Sequence, residues 1–169
     1  MALTWQEVKD RAEISDVLHR YAQGIDQRAW DLYLSAFAED AVIDVVGCLA
    51  APMTPVQFKE FLTATFDRVR LSGQHLLANT LFLVSGNRAQ TVTEFLAVNL
   101  ERTEEPSRIR RQIAGGLYID DLLRTAAGWK IVRRTLVRKS DDEEFIVYPE
   151  TVLDAIEDTK RTSRFLAQH

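Results

Sequence analysis

The feature that most constrains this chain is a change of hydrophobic period at Gly73. Before it, apolar residues recur at spacings of three and four; after it, they alternate. The first spacing keeps one face of a helix apolar and the second keeps one face of a strand apolar. Helices come first and strands afterwards, an order that predicts an α+β domain rather than an alternating α/β one. Four strand-like runs follow, near 74–84, 89–102, 108–124 and 129 to about 138. Ser85-Gly86-Asn87, Glu104-Glu105-Pro106-Ser107 and Ala126-Ala127-Gly128 punctuate them, so they read as successive hairpins. Gly115 and Gly116 interrupt the third run, and paired glycines inside a strand mark a bulge or bend that lets a long sheet curl. The expected architecture is a strongly curved, mostly antiparallel sheet forming a cone around an apolar pocket, packed with the N-terminal helices. Such a pocket is the first place to look for a ligand.

The helical half is marked by its caps. Thr4 with Glu7 makes a capping box, and Ile14, Val17, Leu18, Tyr21 and Ile25 form one apolar stripe that leaves His19 facing water. Gly24 is expected to end this helix, with Asp26 just past the end. Trp30, Tyr33, Leu34 and Phe37 predict a second amphipathic helix, and Ala41 to Val46 a strand that stops at Gly47. Thr54, Pro55 and Gln57 open a third helix whose apolar surface is Phe58, Phe61, Leu62, Phe66 and Val69. The segment from Pro149 reads as a further, weakly amphipathic helix. The whole chain, 1–169, is read as one domain with a C-terminal extension from about 140, a length in keeping with a single core.

A net charge of −4 from 25 acidic and 21 basic residues gives no positive footprint, which argues against nucleic acid as a partner. Cys48 is the only cysteine, so no intramolecular disulfide can form. The N-terminus carries charge where a signal peptide needs an apolar run, and no stretch approaches the ~18 apolar residues of a membrane span. A cytoplasmic protein that does not engage a membrane is expected. No metal site is expected either, because His19 faces water, His169 is terminal and no Cys/His ligand spacing occurs. No phosphate loop, dinucleotide fingerprint or Gly-x-Ser-x-Gly elbow is present, so no cofactor is expected.

Candidate chemistry centres on two residues. Period-two alternation from His75 places His75, Leu77, Asn79, Leu81 and Leu83 on one face, two polar groups among leucines. A buried polar group left unpaired costs roughly 1–3 kcal/mol, so His75 needs a partner, and Asp26 at the end of an apolar helix is the natural one. Asp26 would fix the imidazole tautomer and leave the other ring nitrogen free as a general base. Tyr21, on the core-facing stripe, could donate its phenol to a substrate carbonyl or leaving group. The same pair also fits a satisfied buried contact that merely fixes the fold. Trp30 and Asn79 are further candidate ligand contacts, and Arg138 could reach over the cavity mouth. Arg108, Arg110 and Arg111 read as solvated or acid-paired.

Several stretches together resemble a known family. They are Arg11-Ala-Glu-Ile-Ser-Asp-Val-Leu-His-Arg-Tyr-Ala-Gln-Gly-Ile-Asp26, Trp30-Asp-Leu-Tyr-Leu-Ser-Ala-Phe-Ala-Glu-Asp-Ala-Val42, Gln74-His-Leu-Leu-Ala-Asn79 and Gly128-Trp-Lys-Ile131. Across most of its length the chain resembles the SnoaL-like group of the nuclear-transport-factor-like superfamily, which includes scytalone dehydratase and bile-acid dehydratases. The resemblance implies a cone-like fold, assembly as a homo-trimer or dimer, and a His–Asp dyad in the catalytic members. Asp26 and His75 fall on the dyad positions, Tyr21 where a substrate-binding tyrosine often stands, and Arg138 where bile-acid dehydratases carry a functional arginine. Tyr118 is expected to line the pocket. The chain departs from the family in lacking a tyrosine between Val42 and Cys48 and in lacking a second strand histidine.

Two functional readings follow. One is a cofactor-independent lyase or isomerase for a small hydrophobic ring compound such as a steroid, polyketide or aromatic. The other is a non-catalytic module that binds a hydrophobic ligand or packs on a partner enzyme, like a ring-hydroxylating dioxygenase β subunit.

Overall fold

The computed structural model describes residues 2–105 and 107–162. Helix α1, Trp5–Asp26, opens on the expected capping box: Glu7 N donates to Thr4 Oγ1 at 3.2 Å, and Thr4 N donates to Glu7 Oε2 at 2.7 Å. Its stripe of Ile14, Val17, Leu18, Tyr21 and Ile25 is buried and His19 is exposed. The helix does not end at Gly24. It runs on to Asp26, and Arg28, with φ 54°, makes the turn instead. Gly24 has another use, because a Cβ there would lie 2.5 Å from the backbone nitrogen of Tyr33. Without a side chain there, α1 and helix α2, Trp30–Ser35, can pack backbone against backbone.

Phe37, expected on the second helix, opens strand β1, Phe37–Val45. Helical and extended backbone both keep its ring inward, 5.2 Å from Tyr33 and 5.9 Å from Tyr21. Helix α3, Pro55–Phe66, starts from the Thr54–Gln57 capping box. The remaining strands are β2, Arg70–Ser85; β3, Arg88–Arg102; β4, Arg108–Thr125; and β5, Gly128–Val147. They form one curved, unclosed sheet in the order β1-β5-β4-β3-β2, with β1 parallel to β5 and every other pair antiparallel. β5 continues well beyond Arg138, because Ser140 to Val147 pairs with Gly115 back to Arg108. Helix α4, Glu150–Thr162, follows, and its Leu153 closes a small second core with Leu71, Leu100 and Ile109. His169 lies outside the described residues.

Among the register shifts that bend the sheet are those between Ala78 and Leu81, between Gly115 and Gly116, and between Asp121 and Leu122. Each inserts unpaired residues and reverses which side chains face inward. The main core lies between α1 and the sheet, where Ile14, Tyr21, Tyr118, Trp129 and Ile131 are almost wholly buried. Each such side chain stabilises the fold by about 1.5–3 kcal/mol. Buried Asp10 ties the two layers together, accepting from Arg124 Nη2 at 2.6 Å and Gln6 Nε2 at 2.9 Å. Trp129 Nε1 donates to the same oxygen at 3.4 Å. Of the basic cluster, Arg110 pairs with Glu101 and Glu143, and Arg111 with Glu144. No helix among the described residues is long and apolar enough to cross a membrane.

Candidate functional site

Asp26 and His75 meet where the last turn of α1 crosses the start of β2. His75 Nδ1 lies 2.5 Å from Asp26 Oδ1, and the His75 backbone N–H donates to Oδ2 at 2.7 Å. Two contacts from one residue fix both the carboxylate plane and the ring orientation. The C-terminal end of a helix is the negative end of its dipole and a poor place for a carboxylate. The two His75 contacts and the guanidinium of Arg70, 3.5 Å from Oδ1, offset that penalty. The Asp26 side chain is only 3% exposed, whereas that of His75 is 11% exposed. With Nδ1 engaged, Nε2 is the nitrogen left for other chemistry.

His75 stands in the wall of a cavity of about 270 Å³. An apolar cavity of ~150 Å³ is enough for benzene, so this one has room for a larger ring compound. Phe58, Phe61, Leu62 and Phe66 of α3 form one side of it, and the sheet forms the other. Four of the five apolar residues that the sequence assigns to the third helix therefore line the site; Val69 lies beyond the end of α3 and is exposed.

Tyr21 and Tyr118 both line this cavity, their rings 5.5 Å apart and edge-to-face, and Tyr118 stacks on Phe95 at 4.3 Å. Burial pushes both phenols up in pKa, and the adjacent Arg134 charge offsets this only in part. They stay protonated and are therefore hydrogen-bond donors at neutral pH.

Behind the two tyrosines lies an ion pair that sequence reasoning missed. Arg134 and Asp120 are fully buried and joined bidentately, Nε to Oδ1 at 2.6 Å and Nη2 to Oδ2 at 2.7 Å. The guanidinium carbon sits 3.8 Å from the ring centre of Tyr21 and 4.3 Å from that of Tyr118. Burial works against the charge on Arg134, but the Asp120 carboxylate outweighs it and the guanidinium is held firmly protonated. Asp120 could have been found, since it alternates with Tyr118 and Leu122 on β4. Arg134 could not, because straight alternation from Trp129 and Ile131 turns Arg133 inward. The register shift opposite Asp121 and Leu122 reverses that parity.

The structure does not bring the other predicted contacts together uniformly. Arg138 lines the cavity but is also paired with Asp141 at 2.9 Å, both side chains partly in solvent. Asn79 is exposed, with φ 52°, inside the bulge between Ala78 and Leu81. The bulge ends the alternation on which its placement rested: His75 and Leu77 face inward, then Phe82 and Val84, while Leu81 and Leu83 point out at 70% exposure each. Trp30 packs edge-on against Tyr33 at 5.9 Å beneath Lys59 rather than in the cavity wall. Arg70, Asn99 and Gln112 do line the cavity, and no motif in the sequence pointed to them.

A SnoaL-like domain model matches residues 6–135. The uncharacterized protein Rv2910c of Mycobacterium tuberculosis is 30% identical over 132 residues, 78% of this chain and 87% of that one. Two solved structures from Novosphingobium aromaticivorans share the fold. One, named a candidate aromatic ring hydroxylase, has a TM-score of 0.69 and 26% identity over 81% of this chain and 94% of its own. The other, named a candidate scytalone dehydratase, has a TM-score of 0.70 and 20% identity over 88% and 97%. A curved α+β sheet with N-terminal helices, matched over most of its length by this model, makes the chain a member of the SnoaL-like domain family.

Proposed function

We propose that the protein is a cofactor-independent lyase of the dehydratase type, or an isomerase, for a small hydrophobic ring-containing substrate such as a steroid, polyketide or aromatic. The observation that carries this reading is the imidazole of His75, clamped by Asp26 through Nδ1 and the backbone N–H while the residue borders an apolar cavity. Held this way, Nε2 removes a proton from a carbon of the bound ring. In an elimination the C–H electron pair becomes the new C=C bond and the neighbouring C–O bond breaks. Tyr21 donates a hydrogen bond to the departing oxygen, with Tyr118 beside it, and the proton held by His75 is passed on so that water leaves and the protein is restored. In an isomerisation the proton returns to a different carbon of the same substrate.

The test is proton exchange in D₂O, followed by NMR, on cyclic ketones and β-hydroxy ketones of one to four rings. The wild type should exchange or dehydrate at least one of them, and folded His75→Gln should not. Equal rates in the two proteins would sink the proposal.

A second reading, a non-catalytic ligand-binding or assembly module, draws on a different observation. Leu76 of β2 and Leu96 of β3 lie opposite each other on the outer face, where Leu81 and Leu83 extend an exposed apolar surface. Such patches mark protein contacts. The same surface supports assembly as a homo-dimer or trimer, which light scattering of the wild type and Leu81→Lys would test. A reducing, cytoplasmic setting accords with one exposed, unpaired Cys48.

A further inference from the structure

Arg70, the first residue of β2, carries a guanidinium that the fold buries and does not satisfy. Its side chain is 6% exposed and offers five N–H donors. Its hydrogen bond to Asp26 Oδ1 is 3.5 Å long, at the outer limit for such a bond, and its buried Nε has no acceptor among the described residues. Asp26 is turned toward His75, whose Nδ1 and backbone N–H hold its two oxygens at 2.5 and 2.7 Å, and it stays 3.5 Å from the guanidinium. The neighbouring acids are also taken: Asp67 by Arg28 at 3.0 Å and Glu101 by Arg110 at 2.9 Å. Arg134 differs in having a carboxylate of its own: it makes two short bonds to Asp120, although its Nη1 also lacks a partner among the described residues. A buried donor set left open calls for an acceptor from elsewhere.

The surroundings are built around this head group. A Cβ on Gly73 would lie 1.6 Å from Arg70 Nη2, so only glycine leaves the guanidinium its place. Gly73 pairs with Asn99 of β3, and Asn99 with Gln112 of β4, which sets a row of amide side chains beside the arginine. Arg70, Asn99 and Gln112 all line the cavity, whose wall contains no aspartate or glutamate among the described residues. The phenylalanines of α3 line the same cavity.

We propose that Arg70 anchors an anionic group of the ligand, so that the cavity takes ring compounds bearing a carboxylate, with the ring against α3 and the carboxylate in the acceptor position that Arg70 leaves open. The inference rests on the cavity being the substrate site proposed above, but not on His75 being a base. It also sets orientation. A carboxylate held at Arg70, next to Asp26 and His75, puts the adjoining ring carbons at the imidazole.

The test compares 2-naphthoate with 2-naphthamide, matched in shape and differing in charge, by fluorescence or calorimetric titration at low salt. Wild type should bind the acid at least about tenfold more tightly than the amide, as expected for a buried charge-assisted pair. In Arg70→Gln the ratio should fall to about one with the amide affinity little changed. Gly73→Ala, which keeps the charge but displaces the head group, should lower the ratio too, and it keeps the proposal testable if Arg70→Gln does not fold. His75→Gln should retain the ratio while losing proton exchange, so the two readings fail separately. Equal binding of acid and amide by wild type, or an unchanged ratio in folded Arg70→Gln, would overturn the anchor alone. Binding of neither compound would overturn it together with the cavity as a substrate site.

Discussion

The Asp120–Arg134 pair is the most exacting test of how this fold is held together. Both side chains are fully buried, and Arg134 is pressed against the rings of Tyr21 and Tyr118. Removing one partner leaves the other charged and unpaired in a low-dielectric core, which costs about 3–5 kcal/mol. Asp120→Ala should therefore lose a large part of a total stability that for a domain is about 5–15 kcal/mol. With a urea m-value near 2 kcal/mol per molar, a 4 kcal/mol loss moves the unfolding midpoint down by about 2 M. The corresponding fall in Tm is about 6–20 °C for a chain of this size. Replacing both groups, Asp120→Leu with Arg134→Met, removes the charge and its cost together, and should bring stability back to wild type or above. The assay is urea unfolding of wild type, Asp120→Ala and the double variant, at one protein concentration so that any assembly is held constant. If Asp120→Ala loses less than about 1 kcal/mol, the guanidinium has found water or another acceptor and the reasoning fails. If the double variant is no more stable than Asp120→Ala, the pair is not acting as a unit.

Other consequences can be measured separately. Burial alone would raise the pKa of Asp10, but the donors Arg124, Gln6 and Trp129 outweigh it and hold the carboxyl below its ordinary range. The stability it contributes is fully present above about pH 4 and is lost as the pH falls through the lowered folded value. Asp10→Asn should thus be less stable than wild type at pH 6, with the gap closing toward pH 2.5; a gap that stays constant would contradict this. Gly24→Ala drives a methyl group into the backbone of Tyr33 and should cost about 1–3 kcal/mol by thermal unfolding, and a neutral effect would mean that α1 and α2 can slide apart freely. Once a substrate is in hand, Tyr21→Phe should lower kcat by roughly 10²-fold with KM little changed, as for loss of one transition-state donor. An unchanged kcat would remove Tyr21 from the proposed chemistry.

Legibility in the sequence followed the range of the interaction. The two capping boxes, the apolar stripe of α1 and the hairpin turns are set within a few residues, and each stands where the sequence places it. Asp26 and His75 could be matched because each interrupts an apolar face, and an interruption needs a partner. Asn79 was misplaced by the same alternation that located His75, since it falls in the bulge where that alternation breaks.

The sequence by itself determined the α+β order, the helix starts, the curling of the sheet at Gly115 and Gly116 and the pairing of Asp26 with His75. Only the tertiary structure decided that α1 runs through Gly24 to Asp26, that Arg134 rather than Arg133 turns inward, and that Arg70 lies beside the dyad over Gly73. The physical reason is one of distance. Periodicity and capping are carried by neighbours along the chain, whereas a bulge moves every later side chain to the other face. A buried charge finds its partner by separation in space, which no spacing along the sequence encodes.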